Sequence, residues 1–356
     1  MGRVPRAEEE VHLLLGQELA SLERQLDHGS SIEPESDALQ EGPIEVGSAI
    51  DIGSNSVHLL VAVVGEGWLE PLRDTSELLG LGDVVDRDGS IPKDSRKAVV
   101  DVLADYVGTA NRSQSEHMTL LGTEPLRRAS NADTLAAEIF ERTGESLHVL
   151  SEHGEALLTF IGVTRGVQPR APLIVVDIGG GSTEVATWLP GQPLETRSIP
   201  LGSARLSKAT IEHDPPTDSE MNALAGAALD ATADLAPLLH RADLLAGARA
   251  IFVGGTATNI ARLGTLSRDD LARDRATLTN MPTTTVTTRY NVKPRRARQL
   301  AAGVAIVDAI LERFELDTAE ASDASLRDGA IIARCRLGEE WPERLDELVG
   351  YPALSR

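Results

Sequence analysis

One short motif that occurs twice constrains this chain more than any other feature. Leu173 to Val176 form an apolar, β-branched run that reads as a buried strand. The run ends at Asp177, and Gly179, Gly180 and Gly181 follow before Ser182, Thr183 and Glu184. Glycines after a strand let the backbone turn sharply and bring bare N–H groups against an anion. A carboxylate at the strand end and another seven residues on are placed to hold a divalent metal over that anion. Alone, the pattern equally describes a glycine-rich hairpin with an acidic neighbour. The same layout recurs, however, 126 residues earlier, as Asp51-Ile52-Gly53-Ser54-Asn55-Ser56. Small or apolar residues precede both copies, and strand-like runs, Val57 to Val64 and Val185 to Leu189, follow them. A repeat of this size marks duplicated domains rather than a solenoid. It predicts two strand–turn–strand phosphate loops facing each other across a cleft.

At 356 residues the chain has room for two domains and a tail, and 41% hydrophobic content marks it as globular. No apolar run approaches the ~20 residues that span a bilayer, and the acidic N-terminus lacks a secretory hydrophobic segment, so a cytoplasmic protein with no membrane partner is expected. The single Cys335 excludes an internal disulfide framework, and without an evident paired histidine it is not read as a nucleophile. A net charge of −21 excludes broad nucleic-acid binding. It also opposes an anionic substrate, so a phosphate site here needs metal ions and local arginines to reverse the field.

Val11, Leu14, Leu15, Leu19, Leu22 and Leu26 give residues 7–28 the spacing of an amphipathic helix. It is read as an accessory helix on its own domain, with a homodimer contact as the second reading. An acidic linker completes residues 1–44. A first domain is expected over 45–166, a second over 167–340, and a tail over 341–356. In the first, Gly80 to Pro92 reads as loop, Asp94 as the cap of a helix to Ala110, and Leu147 to Leu150 as a strand leading to Ser151-Glu152-His153-Gly154-Glu155-Ala156. In the second, Asp218 is expected to cap a helix to His240, and Pro294 to open one through Phe314. Ala250 to Val253 reads as a strand turning at Gly254-Gly255-Thr256 into a helix, a third anion or ribose site. Ser325 caps a last helix to Leu337. Strand meanders alternating with helices indicate an α/β architecture. Arg205 and Arg262 are candidates to line a polyanion path; Arg295, Arg296 and Arg298 read as a solvated helix face. His58 is expected to pack in its strand and His153 to sit in an exposed loop.

The ordered loops D-x-G-S-N-S, D-x-G-G-G-S and G-G-T-A-T-N resemble the acetate kinase, sugar kinase and actin ATPase fold, with duplicated ribonuclease H-like domains facing across a cleft. T-x-x-L-R-x-A-x-N (Thr123 to Asn131), S-x-x-x-E-A (Ser151 to Ala156) and S-D-x-x-L-R-D-G (Ser322 to Gly329) narrow the likeness. Together they resemble the exopolyphosphatase and guanosine pentaphosphate phosphatase family, in its short two-domain form, over about residues 46–337.

The resemblance implies hydrolysis of a terminal phosphoanhydride by water, with Mg²⁺ (or Mn²⁺) in the inter-domain cleft. It implies Glu155 as the base that orients and deprotonates water, and Arg127 as a clamp on transferred charge. It assigns Asp177 and Glu184, with Asp51, to the metal. Gly53, Ser54, Asn55, Ser56, Gly179, Gly180, Gly181, Ser182 and Thr183, with Gly254, Gly255 and Thr256, would bind phosphate. One departure stands out: the family has glycine directly after the serine and two acids before the alanine, whereas Gly154 is displaced here and the first acid is missing. Inorganic polyphosphate is the expected substrate and guanosine pentaphosphate the alternative. A weakly catalytic sensor of either anion and an ATP-dependent kinase of the same fold are further readings.

Overall fold

The structure, a computed structural model, describes residues 44–349 apart from 242–244 and 246. The expected helix over 7–28 and its linker lie outside the described residues. Strands β1 (Glu45–Ile52), β2 (Ser56–Gly65) and β3 (Trp68–Leu78) form an antiparallel meander. Helices α1 (Leu81–Asp88) and α2 (Lys93–Arg112), strand β4 (His117–Gly122), helices α3 (Glu124–Arg128) and α4 (Ala132–Thr143), and strand β5 (Leu147–Val149) complete a first sheet. Its order is β3-β2-β1-β4-β5, with β4 and β5 parallel to β1. Helix α5 (Glu152–Thr164) crosses to a second meander, β6 (Leu173–Ile178), β7 (Thr183–Trp188) and β8 (Glu195–Ile199). Helices α6 (Ser203–Thr210) and α7 (Asp218–Ala231), β9 (Arg249–Val253), α8 (Gly254–Ile260) and β10 (Leu266–Ser267) follow. The chain continues through α9 (Arg268–Asn280), α10 (Thr283–Tyr290), α11 (Pro294–Ala297), α12 (Leu300–Arg313), β11 (Thr318–Ala321), α13 (Leu326–Leu337) and α14 (Trp341–Leu348). The second sheet runs β10-β11-β9-β6-β7-β8. Apart from the short β10, it repeats the first sheet strand for strand, which is the duplication of a ribonuclease H-like lobe.

Alternation along the strands explains why their sequences are apolar almost throughout. Ile50 and Ile52 face one way into a core with Val57, Leu59 and Val61 under the first lobe's own helices. Ala49, Leu60 and Ala62 face the other way, into a core shared with Val175, Ala186 and Val253 of the second sheet. Ile174, Val176 and Ile178 face the outer core of the second lobe. The shared core is filled by α5 and α13, which cross so closely that a side chain on Gly329 would overlap the Leu158 carbonyl, and one on Gly162 the Ser325 carbonyl.

Several local expectations change. Gly80 to Pro92 is not a loop: Gly80 and Gly89, both left-handed, bracket α1, and burial of Leu81 and Val85 holds its turns. Helix α2 begins after Pro92, leaving Asp94 inside its first turn. Thr217, not Asp218, caps α7 through a capping box with Glu220. That helix stops at Ala231, and a 3₁₀ segment containing Pro237 runs from Thr232 to Arg241. The helix expected from Pro294 to Phe314 is two, α11 and α12, broken at Arg298 and Gln299. Residues 341–348 of the expected tail form α14, anchored by Trp341, which is 1% exposed and meets the His148 ring edge-on.

Candidate active site

The duplicated loops meet at the carboxyl ends of β1 and β6, and they close in the same way. Gly53 N–H donates to the Ser56 carbonyl at 3.0 Å, and Gly179 N–H to the Ser182 carbonyl at 3.0 Å. Each turn thereby leaves its intervening N–H groups free of the strand ladder. The loops also abut. A Cβ on Gly180 would lie 2.8 Å from Asn55 Nδ2, and one on Gly181 2.6 Å from Glu124 Oε2 and 2.9 Å from Ser54 Oγ. The second loop is therefore glycine because the first loop's side chains stand against it.

Between them lies a cavity of about 150 Å³. Asp51, Asp177, Glu184 and Glu155 line it together with Gly53 to Ser56, Gly179 to Ser182, Gly254 and Gly255. Two expected phosphate contacts point elsewhere. Thr183 is fully buried and donates to the Leu201 carbonyl at 2.6 Å; the Thr256 hydroxyl pairs with Ser203 Oγ at 2.9 Å under the loop. Both hold loops rather than face the cavity.

Glu155 sits in the first turn of α5, whose cap is Ser151: its Oγ accepts from Gly154 N–H at 3.0 Å. The displaced glycine therefore lies within a regular helix, which starts three residues before Glu155 and keeps that side chain aimed into the cleft. Glu155 is 6% exposed and pairs with Arg127, whose guanidinium also donates to the Leu150 carbonyl at 2.9 Å. Burial and repulsion from Glu184 push the Glu155 carboxyl well above its ordinary range, while Arg127 pulls it back. A carboxylate whose proton affinity is raised by its surroundings is suited to taking a proton from water.

Burial also raises the carboxylates around it, Asp51 to about 7, Asp177 to about 6 and Glu184 to about 8. Mutual repulsion adds to the shift: Asp177 raises both Asp51 and Glu184. Asp51 Oδ1 is buried with no hydrogen-bond partner. Buried acids that repel each other, with an orphaned oxygen, are a donor set for a hard divalent cation. Their oxygens are not drawn into a tight cage: among the described residues, three ligand atoms within 4.8 Å of one another occur only at Glu45, His117 and Cys335. The wider spacing in the cleft fits Mg²⁺, which keeps several waters and takes one or two carboxylates. Gly254, at φ 83°, passes against Asp177, where a Cβ would lie 2.6 Å from Oδ1.

Four site residues escaped the sequence reading. Glu124 is 7% exposed, accepts from Ser54 Oγ at 3.0 Å and pairs with Arg205 at 2.5 Å, tying the first lobe to the second loop. Arg205 is therefore committed to Glu124 and to the Gly181 carbonyl. Gln299, in the break between α11 and α12, accepts from Asn55 Nδ2 at 3.4 Å. Just before that break, the half-buried Arg296 stands on the cavity wall beside Gly255. Arg327 of the S-D-x-x-L-R-D-G element reaches the cavity too, lowers Asp51 and Asp177, and pairs with Asp74 at 3.0 Å. The motif containing Arg327 was visible in sequence; nothing local distinguished Arg296 from its neighbours. His153 lies on α5, not in a loop, and its Nδ1 meets Thr196 Oγ1 at 2.7 Å. His58 bonds Ser56 Oγ at 2.7 Å, and burial among cations lowers its pKa to about 3, so the ring is neutral.

Duplicated lobes of this topology, with carboxylates gathered where two anion loops meet, define an enzyme of the actin-like fold that acts on phosphoryl groups. Comparison with known proteins narrows that class. The model of the Ppx/GppA phosphatase family matches residues 60–336, and the chain belongs to that family, whose members hydrolyse phosphoanhydrides. Exopolyphosphatase 1 of Mycobacterium leprae is 28% identical over 313 residues, covering 80% of this chain and 88% of that protein. Guanosine-5′-triphosphate,3′-diphosphate pyrophosphatase of Vibrio vulnificus is 24% identical over 82% of this chain but only 59% of its own length. The crystal structure of the Ppx/GppA family member of Aquifex aeolicus superposes with a TM-score of 0.68 at 25% identity, covering 83% of this chain and 99% of that one.

Proposed function

We propose that this phosphatase is a cytoplasmic, divalent-metal-dependent exopolyphosphatase, releasing orthophosphate from the ends of inorganic polyphosphate. The observation that carries the substrate choice is the mouth of the cleft. A cavity of about 530 Å³ adjoins the catalytic one, sharing Asn55, Ser56, His58, Gly255 and Arg296 with it. Arg262, Lys293, Arg295 and Arg296 line this mouth, and no Phe, Tyr or Trp does. In a chain of net charge −21, four cations around one opening, of which Arg295 is paired with Asp83 at 2.7 Å, suit a polyanion. A guanine base would find no large aromatic face to stack on.

In this reading the free N–H groups inside the two turns, those of Ser54 and Asn55 and of Gly180 and Gly181, receive the terminal phosphoryl oxygens. Glu155 accepts the proton of the attacking water. Arg127 holds Glu155 in place and favours its ionised form, and faces the charge that develops on the transferred group. Asp51, Asp177 and Glu184 would hold Mg²⁺ or Mn²⁺, which supplies neutralisation of anhydride charge. Arg296 and its neighbours grip the remaining chain.

The test is orthophosphate release with Mg²⁺ from long-chain polyphosphate, guanosine pentaphosphate and ATP, side by side. Polyphosphate is expected to give the highest kcat/KM. Preference for guanosine pentaphosphate would transfer the same chemistry to the nucleotide, and binding without release from any of the three would make the protein a sensor.

A further inference from the structure

Away from the cleft, the free cysteine has company that its sequence position conceals. Glu45 opens β1, His117 opens β4, and Cys335 lies on α13, which packs over both strands. One ligand atom from each falls within 4.8 Å of the other two, and His117 Nε2 stands 3.3 Å from Glu45 Oε2. Two ligands each about 2.1 Å from a tetrahedral zinc ion lie about 3.4 Å apart, so this edge already has the required length. Register explains the convergence. His117 pairs with Gly47 across the parallel β1–β4 ladder, which brings it beside Glu45. Gly47 then lets the helix sit close, because a Cβ there would lie 3.2 Å from Cys335 Sγ. Ser115 Oγ fixes the strand end: it donates to the His117 carbonyl at 3.1 Å and shares a hydroxyl–hydroxyl hydrogen bond with Ser48 Oγ at 2.8 Å.

We propose that Glu45, His117 and Cys335 form a second metal site, for a zinc-class divalent ion with water in the fourth position. Thiolate, imidazole and carboxylate are ligands that zinc takes, whereas magnesium prefers oxygen alone. The side chains of Glu45 and His117 are each 26% exposed, so an ion has a route in. With no ion bound, burial and the Glu45 charge hold the Cys335 thiol protonated, its pKa pushed up to about 12. The ion takes the place of that proton, which leaves to solvent as sulfur binds. The site is separate from catalysis. Glu45 and Asp51 are six residues apart on β1, so it lies about 20 Å from the cleft. Its bond from α13 to the first sheet clamps the last core helix in place.

The test uses the full-length protein stripped with a chelator. Co²⁺ is titrated while the thiolate-to-metal charge-transfer absorption is followed, and Zn²⁺ affinity is measured by competition with a chromophoric chelator. With excess Mg²⁺ present to fill the cleft acids, one tight equivalent of each ion is expected, with the thiolate band present. Cys335→Ser is expected to abolish the band, and His117→Gln to weaken Zn²⁺ binding at least ~10-fold. A wild-type protein without the band, or equal Zn²⁺ affinity in all three proteins, would overturn the proposal.

Discussion

The two phosphate loops share a backbone and differ in chemistry. Asp51 pairs across its hairpin with His58, and Asp177 pairs at the equivalent place with Glu184. His58 is neutral, whereas Glu184 is a buried carboxyl raised to about 8 by desolvation and by Asp177. At the loop tips, Ser54 and Asn55 of the first lobe face Gly180 and Gly181 of the second. Duplication thus supplied two identical anion turns, and divergence separated their tasks. The first lobe contributes side-chain donors and the base on α5; the second contributes the paired acids and bare backbone. A symmetric cleft would hold one more buried acid in place of His58, or two glycine loops with no side chains between them.

Between equivalent positions of the two loops, the largest difference falls on the His58/Glu184 pair. Glu184→Gln is expected to lower Mg²⁺ affinity and kcat/KM for polyphosphate by ~100-fold, at the upper end of losses around metal sites. His58→Gln is expected to stay within about threefold, as loss of one neutral hydrogen bond predicts. Steady-state kinetics over a Mg²⁺ titration decide it; equal losses would erase the division of labour.

At the loop tips, Gly181→Ala is expected to destabilise by about 1–3 kcal/mol, because its methyl group presses on Glu124 and Ser54. Ser54→Ala, at the position facing it, removes one hydrogen bond to Glu124 and is expected to cost about 1 kcal/mol. Denaturant unfolding of both variants compares them directly.

At the basic mouth, Arg296→Ala is expected to raise KM for polyphosphate ~10-fold, as loss of one charge-assisted contact predicts, and to flatten its salt dependence. An unchanged KM would remove Arg296 from the substrate path.

The smallest effect is a pH dependence. Folding raises Asp51, Asp177 and Glu184 above their ordinary values of 3.8, 3.8 and 4.5. The folded state therefore keeps protons that the unfolded chain has lost, so the metal-free protein loses stability as pH rises from about 4 to about 8. Mg²⁺ binds the ionised acids, so its stabilising increment grows over the same window. Melting temperatures in chelator and in Mg²⁺ across that range check both signs; a chelator curve that rises with pH through it would contradict them.

Much of this arrangement could be read in sequence where chemistry and local geometry coincide. An apolar run ending in Asp-x-Gly specifies strand, turn and carboxylate at once, so Asp51, Asp177 and the loop glycines were legible, whereas Glu155 stood out only through the family resemblance of its motif. Legibility failed where tertiary placement decides. Glycines at 80 and 89 look like loop signals yet cap a helix at both ends. Thr183 and Thr256 belong to the motifs, but the strand pleat and helix face turn them away from the cavity. Arg296 sits on a short helix that ends before Arg298 and Gln299, where a single long helix is expected. Cys335 meets His117 across more than two hundred residues, a pairing that no spacing rule could supply.

The most direct test of the central claim is Mg²⁺-dependent orthophosphate release from long-chain polyphosphate by the wild-type protein and Glu155→Gln, with polyphosphate binding followed in parallel. Loss of a positioned base predicts a kcat lower by ~10³-fold with binding retained. Phosphate release undiminished in Glu155→Gln would contradict the account and move the base elsewhere in the cleft.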